Sequence, residues 1–329
     1  MDIFLQQLIN GLTLGSVYAV VALGYTMVYG IIQLINFAHG EVVMIGAMVA
    51  FSVIQALAGS GMPPLAVVAT GAACAIPACM LVGYAVERLA YRPLRRAPRL
   101  APLITAIGVS IILQHLALLV WSRNVLAFPQ IIETRIYTVA GAAVTNVQIA
   151  IVLLCVAIMA GLALLVYRTR LGTAMRATAQ NPQVAGLMGV DIDRVIAATF
   201  AIGAALAAVA GVMVGTYYGI AQYTMGSILG LKAFSAAVLG GIGNIPGAML
   251  GGVLLGVVEA LGAGYIGDFT DLCKLPWLAS GALADRCREG GHFTLFGSEY
   301  QDVFAFVVLI LVLVFRPSGL LGERVGERA

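Results

Sequence analysis

Charge is what this sequence has least of. Only 10% of its 329 residues are Asp, Glu, Lys or Arg, and Lys232 and Lys274 are the whole lysine supply. An ordinary soluble domain carries about 25% charged residues. Thirty-three charges cannot cover the surface of a chain that is 61% hydrophobic. That excludes a soluble globule, and the apolar content excludes a disordered tail. A net charge of +3 makes no basic stripe, so nucleic acid is excluded as a partner. The catalytic residue types are as scarce. His39, His115 and His292 are the only histidines, too scattered for a Ser–His–Asp set or a metal cluster. Neither lysine sits in a Walker A loop, and Gly241-Ile-Gly243 followed by Gly247 departs from the dinucleotide spacing without a strand–helix context. No cofactor and no metal are expected. The first residues lack a basic stretch, so no cleavable signal peptide is expected.

What the sequence does have is long apolar runs, and its mean hydropathy is +1.00. No charged residue occurs between Asp2 and Glu41, Glu41 and Glu87, Arg99 and Arg123, Arg135 and Arg168, Arg194 and Lys232, Lys232 and Glu259, or Asp302 and Arg316. A spanning helix needs about 20 mainly apolar residues. The pattern predicts spans near 8–30, 40–58, 65–87, 102–121, 147–167, 194–217, 228–243, 245–265 and 301–316. The fold expected is all-α, a polytopic membrane bundle of eight or nine transmembrane helices with broken or re-entrant segments. One transmembrane domain, 1–329, is expected to account for the whole chain. Arg88, Arg92, Arg95, Arg96 and Arg99 crowd one loop, Arg168, Arg170, Arg176 and Arg194 another, and Arg316, Arg324 and Arg328 follow the last span. Cytoplasmic loops carry the Lys/Arg excess. Nine spans then place the N-terminus outside and the C-terminus in the cytoplasm, with an acidic outer loop over about 266–300.

Small residues recur at four-residue spacing in Gly11/Gly15, Gly203/Ala207/Gly211/Gly215, Gly247/Gly251 and Gly252/Gly256. Such faces let helix backbones pack closely in lipid. Two polar breaks interrupt the spans, Asn36–Glu41 and Gly240–Gly247. Irregular backbone at membrane depth is tolerated where protein buries it or where it lines a wet cavity. Paired breaks of this kind point to a transport path, and two short cytoplasmic turns are the competing reading. Tyr18, Tyr25 and Tyr29 share a helical face. Tyr18, Thr26, Gln33, Asn36 and Asn244 are the candidate pathway residues. Glu41 and Lys232 lie near span ends, where snorkelling would explain them; Glu259 lies deeper and calls for a partner or a wet cavity. Cys74, Cys79 and Cys155 are expected to pack within spans. Cys273 and Cys287 fall in the outer loop, where a disulfide between them is left open.

The segment between two spans, about 168–193, has the clearest local grammar. Asn181 is an N-cap, Pro182 takes the first helical position and Gly189 supplies a left-handed stop. A short helix, Pro182–Met188, would show Val184, Ala185, Leu187 and Met188 to the cytoplasm. It suits docking in a groove on a partner, the other reading being a loop packed on its own bundle.

Arg176-Ala-Thr-Ala-Gln-Asn181-Pro-Gln-Val-Ala185-Gly-Leu-Met-Gly189-Val resembles the ATPase-coupling loop of branched-chain amino-acid ABC transporter permeases. Gly11–Gly24, Ile35–Glu41, Gly240–Gly247 and Phe315–Gly322 are similar to that family's H-type subunit, and the likeness runs along nearly the whole chain. The outer loop from about Asp268 to Phe296 looks longer than the family pattern. The resemblance implies an importer in which a periplasmic binding protein delivers Leu, Ile or Val to two unlike permeases, this chain and an M-type partner, in the inner membrane. Two cytoplasmic ATPases would power alternating access. It also implies that Arg176, Ala177, Asn181, Pro182, Ala185, Gly186 and Gly189 transmit ATPase closure. A self-contained secondary transporter or channel for a small polar solute is the alternative, and a membrane enzyme comes third.

Overall fold

The computed structural model describes residues 2–95, 97, 98, 100–139, 141–266 and 301–322. Among them are eleven α-helices: α1 (Asp2–Ile32), α2 (His39–Leu57), α3 (Pro64–Val86), α4 (Leu100–Val120), α5 (Asn146–Arg168), α6 (Arg170–Gln180), α7 (Pro182–Leu187), α8 (Ile192–Tyr218), α9 (Met225–Gly240), α10 (Ile245–Leu261) and α11 (Gln301–Phe315). Seven of them, α1–α5, α8 and α10, are long and apolar enough to cross a membrane, and α9 and α11 are shorter apolar helices. Each of the nine expected spans therefore has its helix. The Cys273–Cys287 pair and nearly all of the 266–300 loop lie outside the described residues.

Local chemistry sets the helix ends. Thr145 and Gln148 form a reciprocal capping box at the start of α5, and the Asp191 carboxylate accepts the Arg194 N–H to open α8. Gly219, at φ +69°, closes α8 in the left-handed region that favours glycine. Beyond α3 the chain widens into a π-helical turn, Glu87–Tyr91, and then tightens into a 3₁₀ turn, Arg92–Leu94. There Arg95 pairs with buried Glu87 and with Asp193, which Arg92 also holds, so the end of α3 is tied to the first turn of α8. On the opposite end, β1 (Leu126–Ala127) lies in a short antiparallel ladder with a strand at Ile220–Ala221. Ile136–Val139 and Ala142–Thr145 form a hairpin beside it.

The helices sort into an inner and an outer set. About four-fifths of the α1 span is buried, and α2, α8 and α10 are more than half buried. By contrast, α3, α4 and α5 turn Leu81, Ile104, Leu119 and Leu153 outward, as helices facing lipid do. The glycines explain how the inner set closes. A Cβ on Gly15 would lie 2.7 Å from Val253 Cα, and one on Gly256 would lie 2.2 Å from the Gly15 nitrogen. The backbones of α1 and α10 are thus in contact along Gly11, Gly15, Gly252 and Gly256. The glycine row of α8 serves several partners instead: Gly203 meets Gly24 of α1, Gly211 meets Val43 and Ala47 of α2, and Gly215 meets Phe128. Cys79 and Cys155 pack inside, whereas Cys74 is exposed on α3, which corrects the expectation for that residue.

The first polar break re-enters the bundle. After Ile32 the chain turns at Gln33, whose φ of +55° is left-handed, and folds back so that the His39 ring abuts Gly24. Eight helical residues at 1.5 Å each separate Gly24 from Ile32, so α2 starts about 12 Å up α1 from its end. Glu41, in the first turn of α2, is therefore 1% exposed, not a snorkelling residue at a span end. Lys232 is likewise interior, at 6%, because α9 is covered by α1, α2 and α10.

Candidate functional site

Three features follow one another along α1 and α9. Toward the end bearing the Ile220–Ala221 strand lies a cavity of about 160 Å³, lined by Tyr18, Val214, Tyr218, Ile220, Gln222, Met225, Ile228, Leu229 and Lys232. Its backbone wall over 219–224 is not α-helical, the kind of segment that membrane depth permits where a cavity is lined. At its polar end the Lys232 ammonium donates to Glu259 Oε1 at 2.8 Å and to the Tyr18 oxygen at 3.2 Å. Asp302 Oδ1 lies 2.5 Å away as an ion pair. The Tyr18 hydroxyl in turn donates to Glu259 Oε1 at 3.2 Å. This supplies the partner that a charge as deep as Glu259 requires.

Next comes an aromatic cluster. Tyr25 meets the His39 ring edge-on at 4.7 Å between centroids and Phe234 at 6.1 Å, and Phe37 lies 5.7 Å from Phe234. Toward the arginine-rich end follows a larger vestibule of about 630 Å³, with Tyr29, Gln33, Tyr167, Asn244 and Ser318 in its wall.

The expected pathway residues are thus distributed rather than gathered. Tyr18 lines the first cavity, and Gln33 and Asn244 line the vestibule. Asn244 also caps α10 through Gly247 N–H and donates to the Leu321 carbonyl at 2.8 Å. Thr26 lines a cleft of about 90 Å³ beneath α6, shared with Arg176. Asn36 is spent on the re-entrant turn: its Oδ1 accepts the Ala38 N–H at 3.2 Å and the Tyr91 hydroxyl at 3.1 Å.

The α6–α7 segment projects from the arginine-rich end. Asn181 Oδ1 accepts the N–H groups of Gln183 and Val184, both at 3.1 Å, as the capping pattern predicts. Gly189 has φ +86°, and the Val190 N–H closes the turn on the Ala185 carbonyl at 3.1 Å. Leu187 and Met188 are 87% and 80% exposed. Ala185, expected on the outer face, is 4% exposed. A six-residue helix has one face for its own bundle, and Ala185 is on it. The Ala177 carbonyl accepts the Asn181 N–H. Arg176 lies over the Tyr167 ring, 5.7 Å from its centroid, and Gly186 sits beside Ile192.

The family described as branched-chain amino acid transport system / permease component matches residues 7–313. The chain belongs to that permease family. It is 47% identical over 326 residues to the high-affinity branched-chain amino acid transport system permease protein BraD of Pseudomonas aeruginosa, covering 97% of this chain and 96% of the relative. With LivH of Escherichia coli K12, named likewise, it shares 44% over 327 residues at the same coverage. A probable archaeal LivH, from Methanocaldococcus jannaschii, is 26% identical over 320 residues, or 93% and 89% of the two chains. No solved structure matches. Family and apolar helices together make this permease a multi-pass inner-membrane protein.

Sequence reasoning singled out Tyr18 but missed that Lys232 and Asp302 complete its surroundings. The available signal was three charges, Lys232, Glu259 and Asp302, in or beside apolar runs; charges there need partners. It also missed Phe37 and Phe234 in the permease's aromatic cluster, since aromatic residues are common in apolar spans and carry no distinguishing pattern. Among the described residues no group of three His, Cys, Asp or Glu side chains is placed to hold a metal ion.

Proposed function

We propose that this permease is the membrane subunit of an ATP-binding-cassette importer for leucine, isoleucine and valine. It receives substrate from a periplasmic binding protein, pairs with a second, M-type permease and is driven by two separate ATPases. The observation that carries this reading is α7: a short, capped helix on the arginine-rich side, which the charge rule assigns to the cytoplasm, presenting Leu187 and Met188 away from the bundle. The full-length identity to high-affinity branched-chain permeases supports the substrate class.

In this reading the cavity at Tyr18 and Lys232 faces the binding protein, and the vestibule at Gln33 and Asn244 faces the cytoplasm. Tyr25, Phe37 and Phe234 separate them. ATPase closure moves α6–α7 through Arg176, Ala177, Asn181, Pro182, Ala185, Gly186 and Gly189. Two links carry the displacement inward: the Thr26 cleft under α6 and the Arg92–Asp193–Arg95–Glu87 ion pairs at the start of α8. Such a step shifts the permease because ATPase contacts differ between its two states.

The test is a mild-detergent pull-down of the tagged chain from native membranes. A second permease and two ATPases are expected with it. Recovery of the chain alone, with assembly controls intact, overturns the reading in favour of a self-contained secondary transporter. Leu187→Arg should remove the ATPases while leaving the permease pair, and lower uptake by at least about tenfold, equivalent to 1.4 kcal/mol of docking.

A further inference from the structure

We propose that the Lys232 cluster is a binding site inside the permease for a zwitterionic aliphatic α-amino acid, so that the permease itself reads both charges of the substrate. The proposal rests on the importer reading above and adds to it a selectivity filter separate from the binding protein. A cation lines a cavity that also presents aliphatic side chains, and two carboxylates hold that cation from just outside the lining. Lys232 lines it directly, with Ile228 and Leu229 one turn before it on the same face of α9 and Val214 from α8. Glu259, 1% exposed, holds the ammonium through one oxygen while its other oxygen, also buried, has no hydrogen-bond partner among the described residues. Asp302 is the looser member at 37% exposed, reaching Lys232 from α11.

That asymmetry suits an exchange of ion pairs. The substrate carboxylate takes the place of Asp302 on Lys232 and beside the Tyr18 hydroxyl; Asp302 and the unpartnered Glu259 oxygen then receive the substrate ammonium. A zwitterion adds no net charge to a region of low dielectric. A ligand carrying only one of the two charges adds one there, at a cost of several kcal/mol by the desolvation of a buried ion. The cavity therefore favours the amino acid over its amide and its keto acid, and the branched side chain rests on Val214, Ile228 and Leu229.

The test uses the purified permease–ATPase complex without binding protein, so that only the permease can select. Binding of radiolabelled leucine is competed with leucinamide, which lacks the carboxylate, and with 4-methyl-2-oxopentanoate, which lacks the ammonium. Unlabelled leucine should compete, and each half-analogue at least about 100-fold more weakly, the equivalent of 2.7 kcal/mol. Lys232→Met should abolish leucine binding. Asp302→Asn, at a half-exposed position that tolerates the change, should keep the complex assembled and narrow the gap between leucine and the keto acid. Loss of a structural brace would not alter that ratio. Equal competition by the half-analogues, no leucine binding by the wild-type complex, or an unchanged ratio in Asp302→Asn overturns the site. ATP-driven leucine uptake with binding protein present is the separate control: if it persists while the site fails, the importer reading stands, and if the intact system takes up no leucine, that reading falls instead.

Discussion

Glu41 and Glu259 are two carboxylates at the same exposure, 1%, and they are held in opposite ways. Glu259 meets a cation, Lys232, that two other groups, Tyr18 and Asp302, help to position. Glu41 meets no cation among the described residues. Its Oε1 accepts from Ser227 at 2.9 Å and from Ser110 at 3.3 Å, and Gln114 supports Ser227 from α4. Its second oxygen lies against Gly226, so close that a Cβ there would come within 2.6 Å. Gly226 is in the first turn of α9, where backbone N–H groups give a positive end. One carboxylate is thus balanced by a charge, whereas the other rests one oxygen on two hydroxyl groups and leaves its second, beside the start of α9, without a hydrogen bond among the described residues. The first arrangement depends on α9 and α10 keeping their register; the second joins α2 to hydroxyl groups of α4 and α9.

The largest expected effect breaks the charged half. Glu259→Leu leaves Lys232 buried with only a half-exposed partner, and removing one member of a buried pair costs about 3–5 kcal/mol. The thermal midpoint of the purified complex should fall by many degrees. Pairing it with Lys232→Met removes both charges together and should restore most of that midpoint while leaving leucine binding abolished. If the double variant melts as low as the single one, the two residues are not acting as an ion pair.

A smaller effect is expected from Glu41→Ala, which strands two serine hydroxyls and opens a void, at about 1–3 kcal/mol. The smallest belongs to Glu41→Gln, whose amide oxygen can still accept from both serines; its midpoint should shift by less than about 1 kcal/mol equivalent. A Glu41→Gln loss as large as that of Glu259→Leu would show that Glu41 needs its negative charge and that the contrast is false.

The legible part of this fold was what charge gaps and caps record. Nine apolar runs became nine helices, Asn181 and Gly189 bound α7 as their spacing predicts, and Gly11 and Gly15 found Gly252 and Gly256. Depth was not legible. The break from Asn36 to Glu41 left a re-entrant segment and a short turn both open, and nothing in its residues states that the chain folds back beside Gly24. The positions of Glu41 and Lys232 were misjudged for that reason. Nor could one sequence reveal that Asp302 meets Lys232 across 70 residues, or that Ala185 faces inward while its neighbours Val184 and Gly186 face out. Both depend on which helices become neighbours, a property of packing rather than of local pattern.

The glycine contact between α1 and α10 has one more effect. Where Gly15 and Gly256 place backbone on backbone, no gap remains for a file of water molecules. Two of the innermost helices thereby make an electrically tight wall, and a membrane that stores a proton gradient can house a large polar passage alongside it without short-circuiting.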